Sequence, residues 1–286
     1  MRPPELIGRL VPLAAGLVHV REDGPVEGPV LVLLHGFASS MHSFDRVAPL
    51  LAATCRVIRV DLLGHGGSGR SAAGYDSDHQ GAMVDGLLDQ LGAAPGIVVG
   101  HSFGADVAIA LAEQSRRVAG LVVIGQAPDY SSARIPRGGW LMGNPLAARL
   151  IRRFAPAPAV RRVARFAFAP GARPEALFDH PGRIVEDFRL TVPEVYRTVL
   201  VDRPRELDQR GLDQRLRDLG LPTLAILGAQ DQLYPAGPTR ARYAAVPNVR
   251  VEMLEGSGHS PVLEQPHEVA GLILQFVAES EPASIP

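Results

Sequence analysis

The sequence predicts an α/β fold: a doubly wound, mostly parallel sheet with a helical lid inserted between two of its strands. Three observations carry that prediction. Short aliphatic, β-branched runs that are apolar on both faces alternate with longer helical stretches. Glycine-bearing turns follow several of these runs directly. Residues 129–219 break the rhythm, with amphipathic helical character and no convincing strand.

In chain order, residues 11–20 form an apolar run behind Arg2 and Arg9. A bilayer span needs about 20 apolar residues, so this run is too short and reads instead as the approach to a first strand that holds His19. Buried strands are predicted at 30–34, 56–60, 96–99, 121–124 and 223–227, and a further strand at 249–254. Helices are predicted at 41–53, 76–91, 103–114 and 266–278, followed by a frayed tail at 279–286. The expected division is 1–128 for the first part of the core, 129–219 for the lid and 220–286 for the second part of the core. No internal repeat or low-complexity tract is present.

Composition narrows the chemistry. The 286 residues are 46% hydrophobic and 21% charged, ordinary values for a chain that buries a sizeable core. All 29 basic residues are arginine. Lysine Schiff-base chemistry and a P-loop lysine are therefore excluded. The near balance of 29 basic against 30 acidic side chains argues against a nucleic-acid binder. Cys55 is the sole cysteine, so no intrachain disulfide can form, and its context reads as a buried strand start. None of the nine histidines forms a His-x-His or His-x-x-x-His pair, so no metal site is expected. With no transmembrane run, a soluble cytoplasmic protein without a membrane partner is the default expectation, and a homodimer is compatible with it.

Charge is unevenly spread. Between Arg134 and Asp218 there are 17 arginines and 10 acids, a net of +7, and the remainder carries 12 arginines and 20 acids, a net of −8. The same stretch holds Trp140 and seven of the 15 aromatic residues. Docking of lid on core through complementary charge explains this split; recognition of an anionic substrate is the sharper alternative.

The most informative motif is Gly100-His101-Ser102-Phe103-Gly104, placed after an apolar strand and before a helix. A strand that turns at once into a helix strains the residue between them, and Gly100 and Gly104 let the turn close. Ser102 is then held out at the carboxyl edge of the sheet as a nucleophile, above the positive end of the helix. His35-Gly36-Phe37-Ala38 follows another strand, so the N–H groups of Phe37 and Phe103 can hold a developing oxyanion. His35 and His101 read as structural. Asp61-x-x-Gly64-x-Gly66-x-Ser68 reads as a turn in which the Asp61 carboxylate satisfies backbone N–H groups. A serine nucleophile needs a base, and the base an orienting acid. His259, in Gly256-Ser257-Gly258-His259, is the candidate base, and Asp231, just past the 223–227 strand, is the candidate acid. Asp129 also follows a strand and competes for the acid role.

Together these segments, with Gly228-x-x-Asp231 and Gly258-His259, resemble the α/β-hydrolase superfamily in its lidded esterase and C–C hydrolase branch, from about residue 19 to 277. Ala105 stands where many relatives have a second glycine, a change in packing. Haloalkane dehalogenases and epoxide hydrolases of this fold carry an aspartate where this chain has Ser102. The resemblance implies a serine hydrolase acting on a carboxylic ester, lactone or thioester, with no cofactor. A C–C bond hydrolase or lyase using the same triad is the alternative; a non-catalytic ligand-binding receptor on this fold is the third. A neutral, hydrophobic small-molecule substrate is expected, with Trp140, Leu141 and Phe154, joined by Phe166 and Phe168, at the mouth above Ser102.

Overall fold

The structure, a computed structural model, describes residues 8–71, 74–134 and 139–280, and the side chain of Trp140 lies outside the described residues. Eight strands among these form one sheet in the order β1-β2-β4-β3-β5-β6-β7-β8. They are β1 (Arg9–Leu13), β2 (Gly16–Asp23), β3 (Val30–Leu34), β4 (Arg56–Val60), β5 (Gly96–His101), β6 (Val118–Ile124), β7 (Thr223–Gly228) and β8 (Val249–Leu254). The first two strands run antiparallel to their neighbours, and the other six are parallel. The apolar run at 11–20 is thus a hairpin that turns before Gly16, and not a single strand.

The sheet is covered on both sides, which is why its central strands are apolar on both faces. Along β3, Val30, Val32 and Leu34 face the core layer shared with α2 (Ser77–Gln90) and α3 (Phe103–Gln114). Leu31 and Leu33 face the opposite layer, shared with α1 (Ala48–Leu51) and α12 (Pro266–Ser280). The predicted helix at 41–53 is not continuous. A 3₁₀ turn at Met41–Phe44 is followed by the four-residue α1, because Pro49 lacks an N–H and clashes with a preceding helical turn, so it fits only in a first turn. The helix predicted at 266–278 extends to Ser280.

Between β6 and β7 lie α4 (Pro145–Phe154), α5 (Ala157–Ala164), α6 (Arg183–Leu190), α7 (Pro193–Arg197), α8 (Arg203–Gln209) and α9 (Leu212–Leu219), with no strand among the described residues of that stretch. Prolines sit in the first turns of α4, α5, α7 and α8, where a missing N–H costs nothing. They divide the stretch into short pieces. Beyond β7 come α10 (Ala236–Ala244) and α11 (Pro261–Glu264).

Opposite charges join this helical layer to the core. Arg203 on α8 is buried and donates from Nε and Nη2 to both oxygens of Asp106 on α3, at 2.6 and 2.7 Å. Its guanidinium also lies 4.8 Å from the ring centre of Tyr130. Arg210 and Arg215 pair with Glu113 nearer the surface, where screening leaves little net stabilisation. Removing one member of a buried pair leaves an uncompensated charge, so Arg203→Ala should cost about 3–5 kcal/mol in urea denaturation. The joint change Asp106→Leu with Arg203→Met should recover most of it. Equal losses in the single and joint variants would contradict this reading.

Candidate active site

The chain runs from β3 to β4 on one side of the sheet and then to β5 on the other, so the strand order reverses between β3 and β5. Open α/β sheets leave a crevice at such a point, at the carboxyl ends of the strands. The loops carrying Gly36-Phe37 and Ser102 both leave from there.

Ser102 sits between β5 and α3 at φ 51° and ψ −123°, a strained backbone for a residue with a Cβ. The crossing leaves no room beside it: a Cβ on Gly104 would lie 2.2 Å from the Leu34 carbonyl oxygen. The Ser102 N–H donates to the Ile124 carbonyl at 2.9 Å, which fixes the turn to β6. Phe103 is the first residue of α3, so its N–H has no partner within the helix. Gly36 lies against the serine, since a Cβ there would be 3.1 Å from Ser102 Cβ. Phe37 follows it, its ring set edge-on against Tyr196 at 4.9 Å.

The structure brings Ser102, His259 and Asp231 into one hydrogen-bonded line. His259 Nε2 is 3.0 Å from Ser102 Oγ, and Nδ1 is 2.9 Å from Asp231 Oδ2. The other carboxylate oxygen, Oδ1, accepts from the N–H groups of Leu233 and Tyr234 at 2.7 and 3.0 Å. That leaves Oδ2 to the imidazole. Both side chains are 5% exposed, dry enough to strengthen the pair. Asp129 is elsewhere: it bonds Arg242 and the Ser131 N–H.

The neighbouring histidines are built into the scaffold. His101 donates its Nε2–H to the main-chain carbonyl of His259 at 2.8 Å. Burial, then the nearby His259, lowers its pKa to about 3, so it is neutral at pH 7. His35 donates from Nδ1 to the Gly36 carbonyl and accepts from the Leu62 N–H at Nε2. Asp61 accepts from the N–H groups of Met41 and Gly67 and from His19 Nδ1. Burial works against its ionisation, and these bonds outweigh it and hold its pKa below the usual value.

The aromatic residues at the site differ from those expected. Phe188 packs against Tyr196 at 5.9 Å, and Tyr196 against Phe37, so α6 and α7 supply the rings over the Gly36-Phe37 turn. Tyr234 lies 5.5 Å from the His259 ring. Leu141 and Phe154 are largely exposed, at 42% and 71%. Helix α4 buries Ala148 on its inner face, which turns Phe154 outward. Phe166 is also exposed, and Phe168 is buried beside Val262 and Leu263. Trp140, through its side chain, is outside the described residues. Tyr234 had a signal in the sequence, three residues after Asp231 in the same turn; Tyr196 and Phe188 had none. Among the described residues no His, Cys, Asp and Glu cluster could hold a metal ion, and no helix is long and apolar enough to cross a membrane.

Comparison with known proteins agrees with this fold. The 30 kDa subunit of magnesium chelatase from Rhodobacter capsulatus is 30% identical over 281 residues, covering 90% of each chain. The human monoacylglycerol lipase ABHD6 is 27% identical over 269 residues, 89% of this chain and 77% of the lipase. A thermophilic esterase from Thermogutta terrifontis superposes with a TM-score of 0.78 at 22% identity, over 96% of this chain and all of the esterase, a likeness of fold. Residues 31–272 match the profile of the Alpha/beta hydrolase family, from the first parallel strand to the last helix, and the chain belongs to that family.

Proposed function

We propose that the protein is a serine hydrolase that cleaves carboxylic esters, lactones or thioesters through an acyl-enzyme. The observation that carries the proposal is the continuous line from Ser102 Oγ through the His259 imidazole to Asp231. His259 Nε2 takes the hydroxyl proton as Oγ attacks the substrate carbonyl. Asp231 holds the proton on Nδ1, keeps the lone pair on Nε2 facing Ser102, and steadies the imidazolium. The N–H groups of Phe37 and Phe103 receive the oxyanion, each contributing about 2.7–4 kcal/mol. His259 returns the proton to the leaving alcohol, then draws one from the water that attacks the acyl carbonyl and passes it to Ser102 Oγ as the acyl–oxygen bond breaks.

The helices at 129–219 act as the lid in this reading. The rings of Phe37, Phe188 and Tyr196 support neutral, apolar acyl chains as the preferred substrates, since burial contributes about 0.8 kcal/mol per methylene. The ester-cleaving activity of the lipase relative favours the same bond class.

A fluorophosphonate should add its mass to the Ser102 peptide and abolish p-nitrophenyl butyrate hydrolysis. Labelling at another residue, or a labelled protein that still turns over, overturns the assignment. Matched esters with and without a terminal carboxylate test the pocket: the neutral series should have the higher kcat/KM. Turnover of a vinylogous 1,5-diketone with none of any ester would replace the bond class with C–C cleavage while keeping the triad.

A further inference from the structure

The outer surface of the helical layer departs from the rest of the molecule. Seven of the ten exposed large apolar residues among those described lie between Leu141 and Leu190. Three of them, Leu146, Leu150 and Phe154, are spaced four apart on α4 and are 66%, 50% and 71% exposed. At 100° per residue they span one continuous stripe, and Arg149 and Arg153 fall along its flank. A stripe of this kind normally faces a core. Here Ala148 faces inward and the large residues face out. On α5 the pattern repeats, with Val160 buried in a small satellite core while Val163 is exposed. Arg162, with Arg165 and Phe166 just past the helix, lines an open groove of roughly 500 Å³.

The stretch of chain that forms α4 and α5 carries charge of one sign, and the nearest acid beyond it, Glu175, pairs with Arg161. Residues 130–174 contain nine arginines and no aspartate or glutamate. Arg149, Arg153, Arg162 and Arg165 form no ion pair among the described residues, unlike Arg203, Arg210 and Arg215, which dock on the core. Exposed apolar residues alone fit many partners, and arginines alone fit any polyanion. Their combination on one helix face fits a surface that is apolar below and anionic above.

We propose that α4 and the C-terminal end of α5 form a docking surface for anionic lipid bilayers, with Leu146, Leu150 and Phe154 in the acyl boundary and Arg149, Arg153, Arg162 and Arg165 against headgroup phosphates. This departs from the sequence expectation of no membrane partner. It stands independently of the bond that Ser102 cleaves.

Vesicle flotation of the full chain tests it. Vesicles of phosphatidylcholine with one quarter phosphatidylglycerol should bind the protein at least about tenfold more tightly than phosphatidylcholine alone, with a steep loss on adding salt. Leu146→Ser with Leu150→Ser should lower binding about tenfold or more. Arg149→Gln with Arg153→Gln should do the same and flatten the salt dependence. Circular dichroism should be unchanged in both, because all four side chains are exposed. No flotation, equal flotation on both vesicle types, or full binding by the double-serine variant overturns the proposal; the last points to a simple polyanion patch. A lipid-free dimer that the double-serine variant dissociates also overturns it, by giving the stripe to a second copy of the chain.

Discussion

Replacing Ser102 with alanine is expected to lower ester turnover by about 10⁶-fold, with the fold and substrate binding retained. His259→Ala should be about as damaging, and the double variant little worse than either single one. The reason is that the two groups perform one act. Without the hydroxyl there is nothing for the imidazole to deprotonate, and without the imidazole the hydroxyl is a weak nucleophile. The 3.0 Å Oγ–Nε2 distance allows direct transfer without a bridging water. Steady-state kinetics of the three variants on p-nitrophenyl butyrate gives the answer. Losses that multiply would mean that serine and histidine act in separate steps, contrary to the proposed mechanism.

Asp231→Asn should reduce kcat by about 10⁴-fold while the protein stays folded. The carboxylate accepts the Nδ1 proton at 2.9 Å, and its other oxygen is held by two backbone N–H groups. An amide in its place can turn its NH₂ toward Nδ1, which favours the tautomer with the proton on Nε2. That nitrogen could then no longer accept from Ser102. Asp129→Asn should have little effect, because its partners are Arg242 and the Ser131 N–H. Comparing the two variants side by side decides between the aspartates: a severe Asp129 variant with a mild Asp231 variant would move the acid to the loop after β6.

What the sequence disclosed follows from how local each constraint is. The run at 30–34 is unbroken because β3 is buried on both faces, and it matches that strand to the residue. The stretches at 56–60 and 249–254 also match β4 and β8, although Arg59 interrupts the first and the second is a half-buried edge strand with Arg250 and Glu252. The Ser102 turn is also local, because its strain and its glycines are set within five residues. Helix 41–53 misled because its periodicity ignores Pro49. Orientation was the least legible property. The stripe on α4 has core-like spacing, and only the tertiary packing of Ala148 reveals that Phe154 faces out. For the same reason the rings of Phe188 and Tyr196 near Phe37 could not be read from spacing, since they depend on how α6 and α7 settle on the sheet.

The placement of the helical layer between β6 and β7 also bears on how the chain folds. Leu121 must pair with Thr223 across the whole insertion, and Ser102 meets a histidine 157 residues further along. Closing so long a loop is entropically unfavourable before the strands reward it, and contacts of such separation slow folding. The β1–β5 half can collapse on local pairings while β7 and β8 are still unattached. Refolding chains would then pass through a state with most of the sheet formed and His259 not yet beside Ser102. In such chains the return of turnover marks the moment when β7 docks on β6, which makes catalysis a clock for the last long-range closure of the fold.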